Sequence, residues 1–215
     1  MAAFEDRTQA GRRLAEELSD YEGRDDVLVL ALPRGGVPVA YQIAEKLDVP
    51  MDIFLVRKLG APANPELAMG AIASGGVRVM NDDVVSTLRV SEAQIQQVAE
   101  REQAELERRE QAYRGDRPRP EVEGKVVILV DDGLATGATM RAAVRALRSR
   151  GPQRIVVAVG TAPPDTVEQM EQSVDELVCL VTPRPFFGVG GSYRDFSQTT
   201  DEEVKRLLDE APRPS

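Results

Sequence analysis

Five short runs along this chain are dense in apolar and β-branched residues, at 27–32, 51–58, 125–130, 154–159 and 176–181. Continuous apolarity over so few positions is the mark of strands buried on both faces. Between them the period changes. Residues 9–18 place Ala10, Leu14 and Leu18 on one stripe, and a helix after residue 36 buries Val39, Ala40, Ile43, Ala44 and Leu47. Further helices are expected at 138–150 and 165–173, the first closed by Gly151-Pro152 as C-cap and breaker. Alternating strands and helices of this kind predict an α/β fold. Its core is a mainly parallel, doubly wound sheet of about five strands over 27–181.

Two segments depart from that rhythm. Residues 59–76, LGAPANPELAMGAIASGG, are rich in Gly, Pro and Ala with no helical period, and read as a mobile loop with at most a short hairpin. Residues 91–113 form a highly charged helix with a thin stripe of Ile95, Val98, Leu106 and Tyr113, expected to protrude or pack on one side only. It lies in an inserted segment, 82–114, and GDRPRPEVEG leads back to the core. Residues 183–200 would form a small C-terminal hood, and 211–215 a disordered tail. The whole of 1–210 reads as one domain.

Composition narrows the chemistry. A net charge of −9, from 27 Lys and Arg against 36 Asp and Glu, argues against a nucleic-acid or anionic-membrane footprint. Absence of histidine removes imidazole catalysis, and the single cysteine excludes an internal disulfide and cysteine-cluster zinc sites. That cysteine, Cys179 in LVCLV, reads as a small buried hydrophobe rather than a nucleophile. The polar start, MAAFEDRTQAGRR, lacks an apolar signal core, so a cytoplasmic location is expected.

The carboxyl ends of parallel strands are where ligands bind, and three loops leave those ends. In VVILVDDGLATGATM the third strand ends in Asp131 and Asp132 and opens into a loop of small residues before a helix. Gly133 and Gly137 allow close backbone approach. Thr136 and Thr139 add hydroxyls, and the helix start supplies free N–H groups suited to phosphate. Ionised carboxylates only accept hydrogen bonds, so the two acids call for hydroxyls or a divalent cation. A ribose 5-phosphate satisfies both halves. Pro33-Arg34-Gly35-Gly36 and the cations Arg57-Lys58 would suit a second, more highly charged anion such as pyrophosphate with Mg²⁺. Against this stands a solvated turn after a strand, which a lone Asp-Asp-Gly would deserve.

With these residues in place the chain resembles the type I phosphoribosyltransferases, which carry two acids and a Thr-Gly-x-Thr turn in this position and bind phosphoribosyl diphosphate (PRPP). The resemblance extends to LPRGG and to Arg57-Lys58. It implies that Asp131 and Asp132 hold the ribose hydroxyls and touch Mg²⁺ mostly through PRPP and water. Ala135, Thr136, Gly137, Ala138 and Thr139 would cradle the 5-phosphate, and Arg34, Gly35, Gly36, Arg57 and Lys58 would contact pyrophosphate. It implies, too, transfer of 5-phosphoribosyl to a nitrogenous acceptor, as in nucleotide salvage, and a homodimer, with no nucleic acid or membrane partner. Ala135 stands where some purine enzymes carry an aspartate. Glu66, the only acid in 59–76, is then a candidate for proton transfer. Phe187 is the candidate to stack on a base; alternatively the two phenylalanines simply cover the sheet edge. A phosphoacceptor receiver domain also pairs acids after a strand, but Val159-Gly160-Thr161 and Leu180-Val181-Thr182 lack its other residues. A non-catalytic PRPP sensor acting through a protein partner keeps the same fold and stays open.

Overall fold

The computed structural model describes residues 2–213, apart from the side chain of Glu66. In chain order the elements are α1 (Arg7–Glu17), β1 (Val27–Ala31), α2 (Gly36–Leu47), β2 (Met51–Ile53), β3 (Val56–Ala61), β4 (Asn64–Ala73) and β5 (Val77–Met80). Then come α3 (Asp82–Thr87), α4 (Glu92–Arg114), β6 (Val126–Gly133), α5 (Ala138–Arg148), β7 (Arg154–Thr161), α6 (Pro164–Glu171), β8 (Glu176–Val181) and α7 (Asp201–Glu210). A parallel sheet runs in the order β2-β1-β6-β7-β8, and a separate antiparallel sheet in the order β3-β4-β5.

Strand alternation divides the apolar residues between two cores. In β1, Val27, Val29 and Ala31 face the side covered by α1, α2 and α7, while Leu28 and Leu30 face the side covered by α5 and α6. β6 repeats the division, with Val126, Ile128 and Val130 on one side and Val127 and Leu129 on the other. Each such side chain, fully buried, contributes roughly 1.5–3 kcal/mol, so these two central strands anchor everything attached to their ends. None of the helices among the described residues is long and apolar enough to cross a membrane.

Three expectations need correction. The strand expected over 51–58 is two strands in different sheets. Phe54 N–H donates to the Ala31 carbonyl at 2.9 Å, but Leu55 N–H turns to Ser74 Oγ at 2.8 Å and Ser74 N–H to the Leu55 carbonyl at 2.9 Å. The chain therefore changes sheets at Leu55. The loop expected over 59–76 is largely β-sheet. Its small residues hide the strand signal because they are there for close approach: a Cβ on Gly60 would collide with the Pro65 carbonyl. The tail expected from 211 is tied down, for Ala211 is buried and the Pro212 carbonyl accepts from Met51 N–H at 3.0 Å. Pro214 and Ser215 lie outside the described residues.

Helix α4 does bury its thin stripe, including Ile95, Val98, Leu106 and Tyr113. It starts in a capping box between Ser91 and Gln94. Its end is clamped to the parallel sheet rather than protruding. The buried Arg114 guanidinium reaches Asp52 of β2 at 3.0 Å, the Ile53 carbonyl at 3.1 Å and Glu110 at 3.4 Å, and Arg119 bonds Glu110 at 2.6 Å. Helix α7, beyond the expected hood, carries Thr200 as N-cap and buries Val204, Leu207 and Leu208.

Candidate active site

β6 runs through both acids, with Asp131 in register with Val159 of β7. The Asp131 carboxylate accepts from the backbone N–H of Asp132 at 2.8 Å. Burial, reinforced by the neighbouring charge of Asp132, pushes its pKa well above the ordinary 3.8. Asp132 is buried more completely, at 8% exposure. Burial raises its pKa too, against the opposing pull of Arg7. The Arg7 Nε donates to Asp132 Oδ2 at 2.8 Å, and the Tyr193 hydroxyl donates to the Asp132 carbonyl at 2.5 Å. Like charges on adjacent residues cannot both ionise cheaply inside a protein, so one cation beside them is the expected compensation.

The turn after β1 lies directly against this pair. A Cβ on Gly35 would overlap Asp132 Oδ2, and one on Gly36 would lie 2.6 Å from the Val130 carbonyl. Glycine is required at both positions by close approach, and the two loops are brought together backbone to side chain. Arg34 extends outward, 3.6 Å from Asp201 at the start of α7. Asp201 also accepts from the Tyr113 hydroxyl at 2.6 Å.

Arg57 and Lys58 are separated rather than joined. They are consecutive on β3, and consecutive strand residues face opposite ways. Arg57 lines a cleft of about 280 Å³ with Arg34, Arg108, Arg109, Tyr113, Thr139 and Asp201. Lys58 lines a different cavity of about 300 Å³ with Thr139, Arg141 and Arg145. The four arginines of the first cleft are balanced by acids: Glu102 bonds Arg57 at 2.6 Å, and Glu105 takes Arg108 and Arg109 at 2.8 Å each.

The loop over 133–139 is shaped from both sides. Gly137 takes a left-handed φ of 70° as the residue preceding α5. The Ala135 carbonyl accepts from Thr166 Oγ1 at 3.0 Å and the Thr136 carbonyl from Arg141 Nη1 at 2.9 Å. With those carbonyls held back, Ala135, Thr136, Ala138 and Thr139 are exposed around the start of α5, where the backbone N–H groups of a first helical turn and the positive end of its dipole suit an anion. Phe187, at 85% exposure, stands clear of the core, and the Glu66 side chain lies outside the described parts. Sequence reasoning misses Arg7, Arg108, Arg109, Tyr193 and Asp201. Two of these sit on a helix that looks peripheral, and Arg7 is 125 positions from its partner.

The family model for the phosphoribosyl transferase domain matches residues 2–194. The chain belongs to the phosphoribosyl transferase family. A Mycobacterium tuberculosis H37Rv protein provisionally named a phosphoribosyl transferase, Rv0571c, is 47% identical over 213 residues, covering 99% of this chain and 48% of its own length. The chain thus spans about half the length of the curated relatives it matches first. The bifunctional protein PyrR of Clostridium acetobutylicum is 29% identical over 150 residues, covering 68% of this chain and 64% of its own length. Among solved structures, TT1426 from Thermus thermophilus superposes with a TM-score of 0.86 at 42% identity, covering 98% of this chain and 99% of that one. In this member of the family the strand-end acids, the small-residue loop and an arginine-lined cleft share one neighbourhood.

Proposed function

We propose that this chain binds PRPP and transfers its 5-phosphoribosyl group to a nitrogen of an acceptor in the nucleobase class. The observation that carries this reading is the meeting of three features at the strand ends. Asp132 packs against Gly35 and the Asp131 backbone against Gly36, and the cleft of Arg34, Arg57, Arg108 and Arg109 reaches Thr139 of the phosphate-type loop. A sugar phosphate with a second, more highly charged anion is the ligand that uses all three.

In the reaction the C1–O bond to diphosphate breaks, and the electron pair leaves with the diphosphate. The acceptor nitrogen forms the new C1–N bond and loses its proton to the surroundings. The arginines and the backbone N–H of Gly35 would hold the departing anion, the Gly36 N–H being donated to the Leu32 carbonyl at 3.1 Å, while the acid pair favours the positive charge that develops on the ribose. The groups of Ala135 to Thr139 would bind the 5-phosphate, leaving Phe187 to meet the acceptor ring. Among the described residues, groups of three or more metal-ligating side chains are absent. Asp132 is already engaged by Arg7. Asp131 is then the carboxylate that would help hold a Mg²⁺ arriving with the diphosphate. Bound there, it would supply further neutralisation of the leaving diphosphate.

The test is pyrophosphate release from PRPP and Mg²⁺ in the presence of adenine, hypoxanthine, guanine, xanthine, uracil or orotate in turn. Release dependent on one base would name the acceptor. PRPP binding without release for any of them would favour the sensor reading.

A further inference from the structure

The best-connected side chain at the strand ends belongs to neither acid but to Arg7, the first residue of α1. Its Nε bonds Asp132 Oδ2 at 2.8 Å, its Nη1 bonds the Ser197 carbonyl at 2.7 Å, and its guanidinium carbon lies 4.0 Å from the centroid of the Phe196 ring. Behind it the aromatic rings continue as a column. Phe196 stacks on Tyr193 at 5.2 Å, and Tyr193 packs on Phe4 at 5.1 Å. The Tyr193 hydroxyl returns to the same residue, bonding the Asp132 carbonyl at 2.5 Å. Backbone bonds close the bundle, from the N–H groups of Ala3 and Phe4 to the Ser192 carbonyl at 2.9 and 3.0 Å, and from Arg194 N–H to the Phe4 carbonyl at 2.9 Å. The chain start and the segment after β8 are thus stitched together, and the seam ends on one carboxylate.

A guanidinium fixed by a carbonyl, a ring and a carboxylate has little freedom left, and the 12% exposure of both Arg7 and Asp132 side chains keeps the pair largely out of water. The carboxylate is trapped on its other side by Gly35, where no side chain fits. So Asp132 is held between the turn after β1 and Arg7.

We infer that Arg7 is a positioning residue for ribose recognition: seated on Phe196 and Ser197, it fixes the Asp132 carboxylate so that the acid pair can grip the vicinal hydroxyls of the sugar. This rests on the proposed PRPP reading. It also divides labour among the aromatics, since Tyr193 is committed to the Asp132 backbone and Phe196 to Arg7, leaving the exposed Phe187 to meet an acceptor.

The test is isothermal titration of ribose 5-phosphate, 2-deoxyribose 5-phosphate and pyrophosphate, each with Mg²⁺, into the full chain and into Arg7→Gln and Arg7→Lys variants. Circular dichroism monitors the fold, and Phe196→Leu serves as a second route to loosening the guanidinium. Wild-type protein should prefer the ribose over the deoxyribose ligand by roughly tenfold or more, the scale of one hydroxyl bonded to a carboxylate. Arg7→Gln should reduce that preference below about threefold with pyrophosphate affinity unchanged, Phe196→Leu should reduce it partly, and Arg7→Lys should restore part of it. A folded Arg7→Gln protein that keeps the wild-type preference overturns the inference alone. Loss of pyrophosphate binding along with the sugar phosphate also overturns it, because the role would then be structural. Wild-type protein that binds pyrophosphate yet shows no preference between the sugars overturns both the ribose reading and the inference.

Discussion

Asp131 is a residue the fold tolerates at a cost. Its folded-state pKa is raised by burial and by Asp132, so between the ordinary 3.8 and that higher value the folded protein holds a proton the unfolded chain has released. Stability then falls as pH rises through this window. Asp131→Asn is expected to raise Tm at neutral pH, with the gain vanishing below the unfolded pKa, while weakening PRPP binding by about tenfold or more. Thermal melts across pH together with PRPP titration check both halves. Gly35 gives the opposite result. Its backbone angles are ordinary, so Gly35→Ala adds only a methyl group, but that methyl has to displace Asp132. A loss of roughly 1–3 kcal/mol by urea unfolding, together with loss of PRPP affinity, is expected.

At the scale of elements, α4 packs on one side through the thin stripe its sequence shows, and its charged residues do more than face solvent. Its charged surface suggests a solvated helix, yet Arg114 joins it to Asp52, and Arg108, Arg109 and Tyr113 form one wall of the cleft. Arg114→Ala leaves Asp52 and Glu110 buried without their shared partner and should cost about 3–5 kcal/mol in chemical unfolding. Arg108→Gln combined with Arg109→Gln should leave stability nearly unchanged while weakening pyrophosphate binding by about tenfold, measured by titration. Periodicity makes β1, β6, β7, β8 and the helices between them legible to within a few residues, because their apolar positions answer to one partner each. The antiparallel sheet is not legible that way. β4 pairs on both edges, and the sheet uses Gly60, Gly70 and alanines for close approach, so its residues carry little strand character of their own. Of the site, the acids and the loop after them are visible in VVILVDDGLATGAT. The Arg57-Lys58 pair is visible as well, but alternation along β3 sends the two side chains into separate cavities that share Val56 and Thr139. At the ends of the chain α1 shows in the stripe of Ala10, Leu14 and Leu18, while α7 announces itself only through Thr200 before three acids and the spacing of Val204, Leu207 and Leu208.

At the scale of the molecule, a net charge of −9 surrounds a cleft lined by four arginines. On the proposed reading the surrounding acidity would repel a polyanion at long range, leaving its capture to the local field of the cleft. The central claim is that the strand-end acids and this cleft together hold PRPP. Isothermal titration of PRPP with Mg²⁺ into the wild-type chain and an Asp131→Asn/Asp132→Asn variant tests it most directly. Saturable binding at one site per chain is predicted, abolished in the folded double variant. Equal affinity in the two proteins, or no binding to the wild type, would contradict it.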